Sequence, residues 1–346
     1  MRKFHQLFFL GAFAGWLTSA PLPAAGLPEI LPAFKARRET FTLYTENDKY
    51  FAGTDRHYTN GAKLTWLEET NLDQSHDFVQ LVARWLPWMD PRHRGWHYKI
   101  GFTLGQDLYT PTNISTTRIQ TSDRPYSAWL YGGILLHAQI ENQLRLVEID
   151  AGIIGPGALG RQTQNSVHDL LHLPRAQGWG NQLHNEPGLL VSWEHRYRSV
   201  LWPADSTTWQ SDVVLRHRLT VGNVATHAAL GATVRFGWRL PKDFGADLIR
   251  AGGGSAPNAD ALVPFFTYVF VSAETRAIAR DITLDGNTWR ASAAVPKRPV
   301  VADLNLGFAV GSPKFQLTYT QNYRTREFYG QPQRDVFGSV GLTWSY

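Results

Sequence analysis

Alternation with a period of two recurs along this chain, and after the first 26 residues no apolar run is long enough to cross a membrane as a helix. A spanning helix needs roughly 18 to 20 consecutive apolar residues. The clearest alternating segment sets Trp96, Tyr98, Ile100, Phe102 and Leu104 against His97, Lys99, Gly101, Thr103 and Gly105. One face is aromatic and aliphatic, the other small or charged. A soluble sandwich would bury the apolar face and a barrel in lipid would expose it, so alternation alone does not choose. The aromatics do. With 13 Trp, 13 Tyr and 18 Phe in 346 residues, the rings are hard to hide in one soluble core and suit interfacial girdles.

Two segments near the start, around Phe41–Thr45 and Tyr58–Trp66, join Trp96–Gly105 as expected strands. Nine more follow: Tyr126–Glu141, Gln143–Ile154, Glu186–Tyr197, Trp209–Thr220, Ala225–Trp238, Val263–Glu274, Val300–Val310, Phe315–Tyr323 and Arg334–Tyr346. An even number of tilted strands of about 10 residues is what a bacterial barrel requires. In the last, Val336, Gly338, Val340, Leu342, Trp344 and Tyr346 share one face, and the terminal aromatic resembles the ending read by outer-membrane insertion machinery. The expectation is therefore an all-β protein: a twelve-stranded antiparallel transmembrane β-barrel with short extracellular-loop helices.

Residues 1–26 read as a secretory signal, with Arg2 and Lys3 ahead of the apolar stretch Leu7–Leu17 and a small-residue exit from Ser19. The barrel is expected over 27–346. A formal net charge of +5 with no long basic run gives no sign of nucleic-acid binding, and the absence of cysteine suits an exported barrel. Three connections are long. Within 73–94, Phe78–Leu86 reads as a short amphipathic helix; 239–262 holds the flexible Gly252–Pro257 stretch. In 155–185 a helix is expected near 162–173, with Val167, Leu170 and Leu171 on one stripe and Asn165, His168 and His172 on another.

The most overloaded stretch is Glu46 to Gly61, which packs acids, amides, a histidine, an arginine and threonines into one reversal between apolar segments. A plain hairpin needs little more than Gly or Asn. Asn47 and Asp48 offer hard oxygens of the kind calcium prefers, though two residues fall short of six to eight donors. His168 and His172 stand at i and i+4, a spacing that can hold a metal but more often marks a solvated face. Asp107 and Asp123-Arg124 suggest a rim ion pair. No Gly-x-Ser-x-Gly, His-Glu-x-x-His or cysteine-pair motif is present.

These residues carry a family resemblance. Asn47-Asp48, Thr54-Asp55-Arg56-x-Tyr58-Thr59-Asn60-Gly61, Gln106–Pro111, Ser122–Tyr126, Gly155-Pro156 and Gln164-Asn165-x-x-His168 occur in that order. Together they resemble the outer-membrane lipid A 3-O-deacylase (LpxR) family over nearly the whole mature chain. The resemblance implies a calcium-dependent hydrolase of the Gram-negative outer membrane, a monomer among outer-membrane lipids, removing the 3-O-linked acyloxyacyl chain of lipid A in lipopolysaccharide. It implies His168 as general base, Asn47 and Asp48 at the calcium and oxyanion site, and Thr59 as a supporting hydroxyl. One departure stands out: the family glutamate six residues after the histidine is here Pro174. Glu46, Asp169 and Glu186 are the candidate replacements.

Strand phase places Asn47 on the face of Phe41 and Leu43, hence on the outer wall of the barrel near its extracellular rim, with the His168 helix folded over it. The same phase turns Asp48 and Thr59 inward, so a bulge or strand-end twist is needed to gather them. Two rivals remain: an outer-membrane phospholipase A-like esterase, which needs a serine beside its histidine, and a non-enzymatic pore or structural barrel.

Overall fold

The computed structural model describes residues 39–48, 50, 57–70, 96–202, 209–245 and 264–346. The leader 1–26, residues 54–56, the helix expected within 73–94 and the glycine stretch at 252–257 lie outside the described residues.

Twelve antiparallel strands close into a barrel in which each pairs with its sequence neighbours and β1 seals against β12. They are β1 (Glu39–Asn47), β2 (His57–Thr70), β3 (His97–Thr110), β4 (Ser127–Ile140), β5 (Gln143–Ile154) and β6 (Glu186–Trp202), followed by β7 (Trp209–Gly222), β8 (Ala225–Trp238), β9 (Phe266–Asp281), β10 (Val300–Gly311), β11 (Phe315–Arg324) and β12 (Asp335–Ser345). Closure leaves no unpaired edge, the condition for a sheet to sit in hydrocarbon. No described helix is long and apolar enough to cross a membrane. The expected strand set stands, with shifted ends. β6 runs on to Trp202: past Tyr197 the alternation fails in the sequence, with Ser199 on the outward phase and Val200 on the inward one, while the pairing with β7 continues.

Which face is which follows from one contact. The Lys63 ammonium on β2 donates to Glu148 on β5 at 2.6 Å. Those strands are not neighbours, so the bond must cross the lumen. In phase with Lys63 and Glu148 the inner wall is polar; the opposite phase exposes Phe102, Leu104, Ile134, Ile149, Leu215, Leu230, Val269 and Leu306. Polar-in and apolar-out is the pattern of a barrel in lipid, and a one-residue slip in any strand would invert it.

Other ion pairs run along the inner wall between nearby strands. Arg218 reaches both Glu194 at 3.2 Å and Glu274 at 3.0 Å; Asp303 takes Arg324 at 2.9 Å and Arg276 at 3.1 Å. Toward the other end Arg235 holds Asp212 at 2.6 Å and also Asp243, in the segment after β8 that folds back with Phe244 against Leu144, Leu146 and Val214. The described inner wall is thus lined with matched charge. What remains is a cavity of about 140 Å³ toward the rim, with Glu46, Asp107 and Asp150 on one side and Arg218, Arg276 and Arg280 on the other.

The connections 111–126, 155–185, 282–299 and 325–334 gather at one end, which carries most of the described loop structure and is assigned as the extracellular one. They are tied to one another. Arg124 meets Glu327 at 3.1 Å, and Asn287 bridges the His184 carbonyl and Glu186. His57, fully buried at the start of β2, lies between Asp335 at 2.6 Å and Asp123 at 3.3 Å. Burial alone would raise the Asp123 carboxyl, but the His57 contact and the Thr112 backbone N–H outweigh it and hold Asp123 at about 2. The expected rim pair of Asp107 with Asp123-Arg124 does not form. Asp107 turns into the lumen, where Tyr58 donates to it at 3.4 Å, while Asp123 and Arg124 take His57 and Glu327.

Candidate active site on the outer wall

The polar patch begins where β1 ends. Strand phase puts Glu46 in the lumen and Asn47 outside, yet Asn47 is only 6% exposed, unlike the part-open Phe41 and Leu43 below it. The cover comes from the chain itself. Past Asp48, the Tyr50 backbone N–H returns to the Asn47 carbonyl at 3.3 Å and the Tyr50 hydroxyl reaches Thr45 at 3.3 Å. Tyr50 therefore folds back down the outer wall. It crosses Gly338, the partner of Asn47 on β12, where a Cβ would stand 2.5 Å from that of Tyr50; any side chain there would lift the fold-back away. Asp48 is buried at the same turn, 2% exposed.

The bulge that strand phase demanded is present, and it falls on Thr59. The ladder between β2 and β3 passes from Tyr58 opposite Tyr109 to Asn60 opposite Leu108, leaving Thr59 without an opposite residue. The extra residue reverses phase locally. Tyr58, expected to share the face of Ala62, Leu64 and Trp66, instead turns inward to Asp107. Thr59 turns outward, and its hydroxyl bonds that of Thr110 at 2.6 Å. Both threonines are buried, although Thr110 is in phase with lipid-facing Phe102 and Leu104.

The connection 155–185 lies over the neighbouring part of this wall, on β3 and β4. Helix α1 (Gly160–Leu170) turns Gly160, Gln164 and His168 toward the wall, one residue per turn. The approach is close. A Cβ on Gly160 would lie 2.6 Å from the Ala128 Cβ on β4 and 2.6 Å from the Trp179 ring. Beneath the helix Leu108, Tyr126, Ala128, Ala158, Ala176 and Trp179 form an apolar bed, and Gln106 donates to the Ala158 carbonyl at 2.6 Å. Trp179 donates its indole N–H to Gln164 at 2.6 Å, which pins the helix rotation.

His168 is 4% exposed, and its Nδ1 lies 2.5 Å from the Pro174 carbonyl oxygen. A carbonyl can only accept, so Nδ1 carries the proton and Nε2 is the basic nitrogen of the neutral ring. The residue at the family's glutamate position thus orients the histidine through its backbone. None of the three candidate carboxylates joins this patch. Glu46 lines the lumen cavity, Asp169 pairs with exposed Arg175 at 2.5 Å, and Glu186 is held by Asn223, Asn287 and Thr288. His172 is no partner for a metal with His168: the helix stops at Leu170, and His172 takes a left-handed φ of 56° with its side chain exposed.

Asn47, Asp48 and Thr59 therefore stand on adjacent strands at the rim, and His168 stands over the next two strands along the same outer wall. Gln106, Thr110 and Gln164 stand in the motifs that carry the resemblance but drew no site role from them, and the Pro174 carbonyl drew none either. Gln106 and Thr110 had a signal: each is a polar residue at a lipid-phase position of β3.

For calcium the donor set fits in type. Asn47 and Asp48 bring hard oxygens, buried side by side. It is short in number, since no group of three or more His, Asp or Glu able to hold a metal gathers among the described residues.

A closed barrel with an apolar outer band and a covered polar patch at its rim is an integral outer-membrane protein of the site-bearing kind. The family model described as outer membrane protein LpxR matches residues 8–346, and the chain belongs to that family. Among solved structures it is similar to LpxR from Salmonella typhimurium, with 20% identity, a TM-score of 0.70, and coverage of 88% of this chain and 99% of that one. At that identity the likeness speaks for the fold. The β domain of the Bordetella autotransporter BrkA (11% identity; 89% of this chain, 98% of that one) and the NalP translocator domain from Neisseria meningitidis (10%; 89% and 87%) match at TM-scores of 0.40, too loosely to carry an argument. A search of curated protein sequences finds no match.

Proposed function

We propose that this protein is a lipid A-modifying hydrolase of the outer membrane that removes the 3-O-linked acyloxyacyl chain by attack of water on the ester. The observation that carries the reading is His168: buried against the outer wall and held by the Pro174 carbonyl in the tautomer a general base needs. A site on the outer wall is reached from the outer leaflet, where a lipid's acyl chains remain.

His168 Nε2 takes a proton from water as the water oxygen bonds the ester carbon. The tetrahedral oxyanion that results is met by the Asn47 amide and by the Thr59–Thr110 hydroxyl pair, of which one hydroxyl keeps a proton to donate. Collapse breaks the bond to the 3-oxygen of the sugar, and the imidazolium returns its proton to that leaving alkoxide. Calcium, held by Asn47 and Asp48, would polarise the ester carbonyl and stabilise negative charge.

The test is mass spectrometry of lipid A from cells expressing the protein. Loss of one ester-linked acyloxyacyl unit, abolished by His168→Ala and by chelator, is the expected result. Changed phospholipids with unchanged lipid A would favour a phospholipase; among the described residues Ser166, two residues from His168, is exposed on another face of α1. A pore is opposed by the Lys63–Glu148 pair, which crosses the lumen.

A further inference from the structure

Three leucines at α1 face the wrong way for a helix in water. Leu159, Leu170 and Leu171 are 44%, 58% and 38% exposed, while the wall-facing side spends its burial on Gly160, Gln164 and His168. Of the apolar stripe Val167, Leu170 and Leu171 read from the sequence, Leu170 and Leu171 stand exposed. A helix in a soluble protein buries its leucines and shows its polar face to water. The reverse is stable where the surrounding medium is itself apolar.

The surroundings supply such a medium. Leu104 and Ile134, exposed on the outer faces of β3 and β4, belong to the lipid-facing band. Two residues above Leu104 on the same face, Gln106 is already covered by the Ala158 carbonyl just before α1. The helix is therefore seated on the upper margin of the band, continuous with it. At 100° per residue, Thr163, Val167 and Leu170 share one flank and Arg161 and Asn165 the other, with Gln162, Ser166 and Asp169 outermost. The exposed Asp169–Arg175 pair lies at the end where Leu170 emerges. A leucine flank with charged neighbours, on a helix lying along a hydrocarbon boundary, is the pattern of an interfacial helix.

We propose that the Val167–Leu170 flank of α1, with Leu159 and Leu171, is seated among the acyl chains of the outer leaflet. On the deacylase reading above, this has a further role. His168 is two residues from Leu170, about 3 Å along the helix axis, so the leaflet sets the depth of the base. The acyl ester of a glycolipid lies just below its sugar, at that same boundary.

The chain contains no cysteine, so single-cysteine spin labels are unambiguous. Labels at Leu170→Cys, Ile134→Cys (lipid-facing strand) and Gln162→Cys (outermost face) are compared in vesicles of outer-membrane lipids by power saturation with oxygen and with a water-soluble nickel chelate. The expected result is that position 170 behaves as 134, accessible to oxygen and shielded from nickel. Nickel access equal to that at 162 overturns the proposal. So does a label immobile and shielded from both reagents, which would mean that protein covers the flank. These readouts need no catalysis, so they stand or fall apart from the deacylase reading. In an activity arm, Leu170→Asp should slow turnover of vesicle-embedded lipid A roughly tenfold while leaving hydrolysis of a detergent-dispersed ester unchanged. An equal loss in both media would also overturn the proposal.

Discussion

Gly160→Ala pits two known quantities against each other. Backbone entropy alone predicts a gain, since Ala in place of Gly at an unstrained position stabilises by about 0.4–1 kcal/mol through the unfolded chain. The wall predicts a loss, because the new methyl would stand 2.6 Å from the Ala128 Cβ and 2.6 Å from the Trp179 ring. Carbon pairs settle near 3.5 to 4.0 Å, so α1 must lift by about 1 Å. Trp179 can yield by turning, but only at the expense of its 2.6 Å bond to Gln164; Ala128 sits on a paired strand and cannot. Overpacking of this kind costs about 1–3 kcal/mol locally, and a 1 Å misplacement of a catalytic group costs on the order of a hundredfold in rate. The expected variant is a barrel that folds normally, judged by heat-modifiable gel mobility, and deacylates lipid A about a hundredfold more slowly in a mass-spectrometric time course. Adding Ala128→Gly should recover part of the loss. A fully active Gly160→Ala enzyme would refute the seating of His168 by close contact between α1 and β4. A variant that loses the barrel itself would refute the separation of site and scaffold.

Four further outcomes follow. His168→Ala and His168→Gln should each lower the rate on the order of a thousandfold with barrel stability unchanged, whereas Thr59→Val should lower kcat about tenfold with little change in KM. Lys63→Met should destabilise the barrel to urea by about 3–5 kcal/mol, because it leaves Glu148 buried without its ammonium; pairing it with Glu148→Leu should recover most of that. Asp123 is held at about 2, below the ordinary carboxylate value. Its stabilisation of the rim is therefore complete above about pH 4 and lost as pH falls toward 2. Protease cleavage within 111–126 should rise over that window, and Asp123→Asn should flatten the dependence.

The barrel was legible because its signal repeats: each strand restates the same period, and errors at one end, as at Trp202, leave the count untouched. The site was legible in its motifs and less so in its geometry. Asn47 could be placed outside because β1 keeps strict phase up to it. Thr59 could not, since a bulge leaves no mark in composition and turns Tyr58 and Thr59 over together. The two stripes of α1 could be drawn from its period, but which of them meets the wall could not, because beside a wall whose outer medium is lipid an apolar stripe has two places to go. There the informative residues are the polar ones at outward positions: Asn47, Gln106 and Thr110. The role of Pro174 was invisible for another reason. A carbonyl oxygen belongs to every residue, and only the turn after α1 aims this one at His168.

The seam between β1 and β12 adds a matter of timing. Asn47 sits opposite Gly338, and Tyr50 reaches its place only by crossing that glycine, so this half of the proposed site is assembled from strands nearly three hundred positions apart in sequence. On the deacylase reading, the Asn47 half of the site would be completed only when the barrel closes, so the full set of oxyanion donors would form with the seam itself.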